Sequence, residues 1–117
     1  MNILWVENHP HFPRLTIPRF LKDHVVTVVP SLAAASQALA QACFDVILID
    51  FDLDDGKGTE VVHIVESLPG RPWLVAASAH DAGNQALMEA GADAVCAKSH
   101  FDQIGQVLAG LGKRDDP

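Results

Sequence analysis

The sequence predicts a doubly wound α/β sandwich: one parallel five-stranded sheet with helices on both faces. Three observations lead there. Five short apolar runs recur along the 117 residues at regular intervals. None of them shows clean period-two alternation, as expected of strands buried on both faces. Segments with helical character separate them, and strand–helix alternation is the mark of a parallel sheet. A chain of this length forms one domain and needs neither disulfide nor metal to hold a core.

The first strand is read at Asn2–Val6. Pro10, Pro13 and Pro18 crowd the segment after it. Pro10 or Pro13 can open a helix, but Pro18 lacks an N–H and is expected to kink or break it. Val25–Val29 is the second strand, and Leu32–Ala42 is a helix with Ser31 as N-cap. Val46–Ile49 is the third strand. The helix after it, Thr59–Ser67, places Val61, Val62, Ile64 and Val65 on or near one face and is stopped by Pro69-Gly70. The fourth strand, Trp73–Ala77, precedes a helix over Asn84–Ala90 that ends at Gly91. The fifth, Ala94–Ala97, precedes a helix over Phe101–Leu111, with Ser99 and Asp102 spaced as a capping box. Right-handed crossovers and a single reversal of strand order arrange these as a flavodoxin-like (βα)5 sandwich of order 2-1-3-4-5. The domain is expected over residues 1–112, with 113–117 a short polar tail.

Charge narrows the partners. Eight basic against fifteen acidic side chains leave a formal net charge of −7, which disfavours nucleic acid or an anionic membrane as a direct partner. No run approaches the roughly 18 apolar residues of a membrane span. Cys43 and Cys96 fit no metal spacing, and strand 4 is expected to separate them. Two free thiols suit a reducing compartment, so the cytoplasm is expected.

In open α/β sheets, ligands sit beyond the carboxyl ends of the strands near the switch point. There the sequence places Glu7-Asn8, Asp50, Ser78 and Lys98, at the ends of strands 1, 3, 4 and 5. Two facing carboxylates repel unless a cation lies between them, and a hard divalent ion such as Mg2+ meets that need. With charge neutralised by such an ion and by Lys98, Asp50 can attack phosphorus, and Ser78 can donate a hydrogen bond to the new phosphoryl group.

These motifs, in this order, resemble those of the response-regulator receiver domains of two-component signalling. Ile3-Leu4-Trp5-Val6-Glu7-Asn8-His9-Pro10 resembles the family's first strand and acidic pair. Phe44-Asp45-Val46-Ile47-Leu48-Ile49-Asp50 resembles the strand that delivers its phospho-accepting aspartate, and Leu53 and Gly58 keep the spacing of the next loop. Ala77-Ser78-Ala79 and Glu89-Ala90-Gly91-Ala92-Asp93-Ala94, leading to Lys98, resemble the last two strands. The resemblance implies Asp50 as phosphoacceptor, Ser78 as switch hydroxyl and Lys98 as phosphoryl partner. It implies Mg2+ bound by Glu7, Asn8, Asp50 and the Asp52 backbone carbonyl. It further implies a histidine kinase or phosphotransfer protein as donor, and a protein target or an effector domain outside this chain as output. The domain is expected to be a monomer or weak dimer and no enzyme, beyond self-catalysed phosphoryl transfer and hydrolysis at Asp50.

Four features depart from the family. Glu7 and Asn8 replace two acids, usually aspartates, and the lost charge lowers the expected Mg2+ affinity. Val95 stands where an aromatic side chain usually reports the switch. Ser99 replaces a proline that normally follows a cis peptide bond, a geometry costing a non-proline residue about 3 kcal/mol. The proline-rich first helix is also atypical. The competing reading is therefore a pseudo-receiver that binds proteins without a phosphorylation cycle.

Other readings are weaker. Asp50-Phe51-Asp52 resembles the nucleophile motif of haloacid-dehalogenase-type phosphatases, but that motif belongs on a first strand and wants Thr or Val where Asp54 stands. Gly56-Lys57-Gly58-Thr59 lacks the first glycine of a phosphate loop. His9–Pro13 makes no flavin phosphate cradle. His9 and His11 lack an evident third ligand for a transition metal. Asp54 and Asp55 are expected to be a solvated loop, whereas Asp52 and His80 hold positions that modulate phosphoryl lifetime in receivers. Trp5 and Trp73 are expected in the core.

Overall fold

The computed structural model describes residues 1–112; the expected tail, 113–117, lies outside them. β1 (Asn2–Val6) pairs in parallel with β2 (Val25–Val29) on one side and β3 (Val46–Ile49) on the other. β4 (Asp52–Leu53) and β5 (Gly56–Lys57) form a separate antiparallel hairpin that the sequence reading did not foresee. β6 (Trp73–Ala76) pairs with β3, and β7 (Ala94–Val95) with β6, both parallel. The sheet order is β2-β1-β3-β6-β7, the expected 2-1-3-4-5 once the small hairpin is counted in the labels.

Alternate residues of each central strand face opposite layers. Leu4, Val6, Ile47, Ile49, Leu74 and Ala76 pack with Ala35, Val61, Val62, Val65 and Leu87 of the helices on one face. Ile3, Trp5, Val46, Leu48 and Val75 pack with Leu21, Phe101, Ile104, Leu108 and Leu111 on the other. Two-faced burial explains why these strands read as continuous apolar runs. Trp5 is wholly buried, stacked on Phe101 with ring centroids 5.0 Å apart and edge-on to Phe12 at 5.9 Å. β2, at the sheet edge as its place in the order requires, departs from the expected burial on both faces: Val25 is 67% exposed. β7, at the opposite edge, leaves Val95 45% exposed.

The helices are α1 (His11–Phe20), α2 (Leu32–Gln41), α3 (Gly58–Glu66), α4 (Asp81–Ala90) and α5 (Ile104–Leu111). Pro10 precedes α1, and Pro18 does not break it. Pro18 falls in the last turn, and the helix closes beyond it through the Leu21 N–H, which donates to the Ile17 carbonyl at 2.9 Å. Ser31 caps α2 as expected, accepting from the Ala34 N–H at 3.1 Å. Asp55 adds a second cap from the loop after β3, accepting from the N–H groups of Leu32 (2.6 Å) and Ala33 (3.1 Å). The first of these bonds is the main cause holding its carboxyl below the usual range, so Asp55 is more than a solvated loop acid.

α4 begins three residues earlier than its apolar pattern indicated and ends at Gly91, whose φ of +130° suits glycine. The Ser99–Asp102 capping box does not form: Lys98–Gln103 is a 3-10 segment without a side-chain cap, and α5 starts after it. Cys43 is exposed and Cys96 buried, both free; burial and then the Asp102 charge push the Cys96 thiol up to about 11. No helix among the described residues is long and apolar enough to cross a membrane.

Gly58 opens α3 with no room for a side chain. A Cβ there would lie 2.1 Å from the Asp50 carbonyl oxygen and 2.8 Å from Ile49 Cγ2, both on the strand that carries the candidate site. Gly58→Ala is expected to cost about 1–3 kcal/mol of stability by forced displacement of this backbone. Urea unfolding checks it, and an unchanged midpoint would show that the loop gives way freely.

Candidate functional site

The sheet's hydrogen bonds continue past the ends of its strands and set the backbone of the site. The N–H of Glu7 donates to Val29 O (2.8 Å), that of Asp50 to Val6 O (2.9 Å), that of Cys96 to Ala76 O (2.8 Å) and that of Lys98 to Ser78 O (3.2 Å). Parallel register therefore brings Glu7, Asp50, Ser78 and Lys98 to one end of the sheet, as the sequence reading expected. Asp50, Ser78 and Lys98 line a cleft of about 90 Å3 together with His9, Asp52, Ala79 and His80, while Glu7 is buried and pairs with Lys98.

Lys98 meets both carboxylates. Its Nζ lies 2.5 Å from Glu7 Oε1 and 3.6 Å from Asp50 Oδ2, and 5.5 Å from the centre of the Phe12 ring. Asp50 Oδ1 accepts the Phe51 N–H at 2.9 Å. Glu7 Oε2 accepts the His9 N–H at 3.1 Å. Burial raises the pKa of Glu7; the Lys98 hydrogen bond pulls it back, and the nearby Asp50 charge adds to the rise. This is the repulsion expected of two carboxylates in one cleft, partly relieved by one lysine.

Ser78 is buried, and its Oγ accepts the His80 N–H at 3.2 Å, leaving its own hydrogen free to donate. Its backbone is clamped by Asn84, which the sequence reading took only as the start of a helix. Asn84 Oδ1 accepts the Ser78 N–H (2.8 Å) and Asn84 Nδ2 donates to the Ser78 carbonyl (3.1 Å). Gly83 beside it is equally constrained: a Cβ there would lie 2.9 Å from both Ser78 Oγ and Phe51 Cβ. That packing carries α4 through a residue of poor helix propensity. A polar residue one turn into the helix after a strand-end hydroxyl is a faint signal, and only packing turns it inward.

Asp52 lines the cleft, while its carboxylate pairs with Lys57, whose ammonium also lies 5.1 Å from the centre of the Phe51 ring. The Lys98–Ser99 peptide is trans, so Ser99 does not reproduce the cis geometry. Asn8 Oδ1 is buried without a hydrogen-bond partner among the described residues. His9, set aside for want of further ligands, lies with Glu7 and Asp50: one donor atom from each falls within 4.8 Å of the others. His11 does not join this group. Two carboxylates and an imidazole this close together fit a divalent cation.

No protein-family model matches the sequence, and no curated protein matches it. Solved structures do match. The response regulator TrrA of Thermotoga maritima, in complex with Mg2+-BeF, superposes with a TM-score of 0.82 at 18% identity, over 94% of this chain and 97% of that one. The signal receiver domain of a putative LuxO repressor protein from Vibrio parahaemolyticus gives 0.83 at 22%, over 97% and 90%. The Mn2+-bound form of the response regulator Rcp1 gives 0.76 at 21%, over 99% and 98%. The chain has the fold of response-regulator receiver domains.

Two tests follow from the geometry. Asn84→Ala strips the buried Ser78 N–H and carbonyl of their partner; it is expected to cost about 1–3 kcal/mol and to speed hydrogen exchange at the Ser78 amide. Unchanged exchange would show that the clamp is dispensable. A carboxyl whose pKa rises on folding binds more protons folded than unfolded, so Glu7 costs stability as pH rises from its ordinary 4.5 through its folded value. The stability of the wild type relative to Glu7→Gln is therefore expected to fall across that interval, then level off. Urea unfolding at a series of pH values reads it, and a flat difference would mean that Glu7 is not perturbed.

Proposed function

We propose that this protein is a two-component receiver domain that accepts a phosphoryl group on Asp50. The observation that carries the reading is the Lys98 ammonium shared by the Glu7 and Asp50 carboxylates at the strand ends of a receiver fold. A histidine kinase or phosphotransfer protein is the donor. Asp50 Oδ attacks phosphorus, the P–N bond of the donor breaks, and its electron pair leaves with the imidazole, which takes up a proton. Lys98 offsets negative charge on the phosphoryl oxygens as they arrive. Glu7, Asn8, Asp50 and the Asp52 carbonyl are the residues to hold Mg2+, which when bound neutralises phosphoryl charge. The missing acid at Asn8 weakens that binding.

Ser78 turns its hydroxyl hydrogen to the new phosphoryl group. Because Asn84 grips the backbone of Ser78 on both sides, a shift of Ser78 moves the start of α4 with it. This route to the surface needs no aromatic residue at Val95. The altered surface, around β6, α4 and β7, is read by a protein target or by an effector domain outside this chain. The protein acts as a signalling phosphoacceptor, with no turnover beyond transfer and hydrolysis at Asp50.

A second reading, a pseudo-receiver that binds proteins without phosphorylation, is favoured by Asn8 and by Lys98 itself, which already supplies both carboxylates with a counter-charge. Beryllofluoride, which mimics the aspartyl phosphate, separates the two. Amide NMR is expected to show Mg2+-dependent shifts around Asp50, Ser78, Asn84 and Lys98, absent in Asp50→Asn. A folded sample without shifts at millimolar Mg2+ would leave the pseudo-receiver reading standing.

A further inference from the structure

The two oxygens of the Glu7 carboxylate are divided between neighbours. Oε1 takes Lys98 at 2.5 Å, whereas Oε2 faces His9, accepting its N–H at 3.1 Å and lying 3.5 Å from its Nδ1. The backbone bond tethers His9 beside the carboxylate, while its ring is 72% exposed and free to adjust. One donor atom each from Glu7, His9 and Asp50 lies within 4.8 Å of the other two. Ions bound by imidazole and carboxylate sit about 2.0–2.2 Å from each donor, so Oε2 and Nδ1 can reach one ion without displacing Lys98 from Oε1. Asn8 follows Glu7 with a buried amide oxygen that has no hydrogen-bond partner among the described residues.

We infer that His9 is a metal ligand, and that the Glu7–His9–Asp50 group binds a first-row transition ion such as Mn2+ in preference to Mg2+. This deepens the proposed metal site and rests on that reading. The chemical reason is the donor set. Mg2+ is a hard ion that relies on charged oxygen ligands, and Asn8 has removed one charge from the pair. An imidazole nitrogen adds little for Mg2+, which keeps to oxygen ligands, whereas first-row transition ions accept nitrogen donors more readily. Loss of an acid at one residue and gain of an imidazole at the next act in the same direction.

The test is Mn2+ binding by the full chain, followed by electron paramagnetic resonance, with Mg2+ as competitor. The wild type is expected to bind Mn2+ tighter than Mg2+, and pulsed spectra should show coupling to a histidine nitrogen. His9→Ala should lose the coupling and most of the preference while Mg2+ affinity is unchanged, and His11→Ala should keep both. Equal Mn2+ affinity in wild type and His9→Ala, or no nitrogen coupling, overturns the inference. The two readings fail separately. Beryllofluoride binding that survives in the wild type without a His9-dependent preference defeats only the inference. His9-dependent Mn2+ binding without beryllofluoride binding defeats only the phosphoacceptor reading.

Discussion

Glu7 and Asp50 end adjacent parallel strands, so the register of β1 and β3 forces two carboxylates into one cleft, with Glu7 only 1% exposed. Burial of like charges is costly unless a cation meets them. Lys98 provides it, reaching in from beyond the edge strand β7. Its own placement depends on the aromatic group beneath: Phe12 lies under the ammonium, edge-on to both Trp5 and Phe101, so α1, β1 and the 3-10 segment lock together where the lysine enters. The proline-rich α1, atypical in sequence, thereby contributes directly to the support of the charged site.

A second constraint lies on the other side of Asp50. Asn84 holds the backbone of Ser78, and Gly83 lets α4 press against Phe51 and Ser78. The end of β6, the start of α4 and the loop after β3 therefore pack as one unit. Close-packed interiors move between discrete arrangements rather than deforming continuously. A displaced Ser78 cannot shift alone.

The acidic run from Asp50 to Asp55 shows how far composition can be read. The sequence singles out Asp50 and sets Asp52 apart from Asp54 and Asp55, but it does not show the partners of Asp52 and Asp55. In the fold, Asp50 enters the cleft, Asp52 pairs with Lys57, and Asp55 caps α2. These roles differ because the small β4–β5 hairpin turns neighbouring residues in different directions, and two-residue strands leave no periodic trace. The neighbours of His9 are hidden for a similar reason. Its partners, Glu7 and Asp50, come from two strands, and a search for local ligand spacing sees only His11.

What the sequence by itself determined was the order of strands and helices, the parallel sheet, and the identity of the four polar residues at its strand ends. Those features are local: apolar runs, Ser31 and Gly91 at helix ends, and motifs set immediately after strands. Tertiary structure alone decided which strands keep an exposed face, that Pro18 is accommodated in α1, and that Asn84 and His9 belong to the site. Each depends on contacts between segments far apart in the chain, where side-chain packing and desolvation override local propensity.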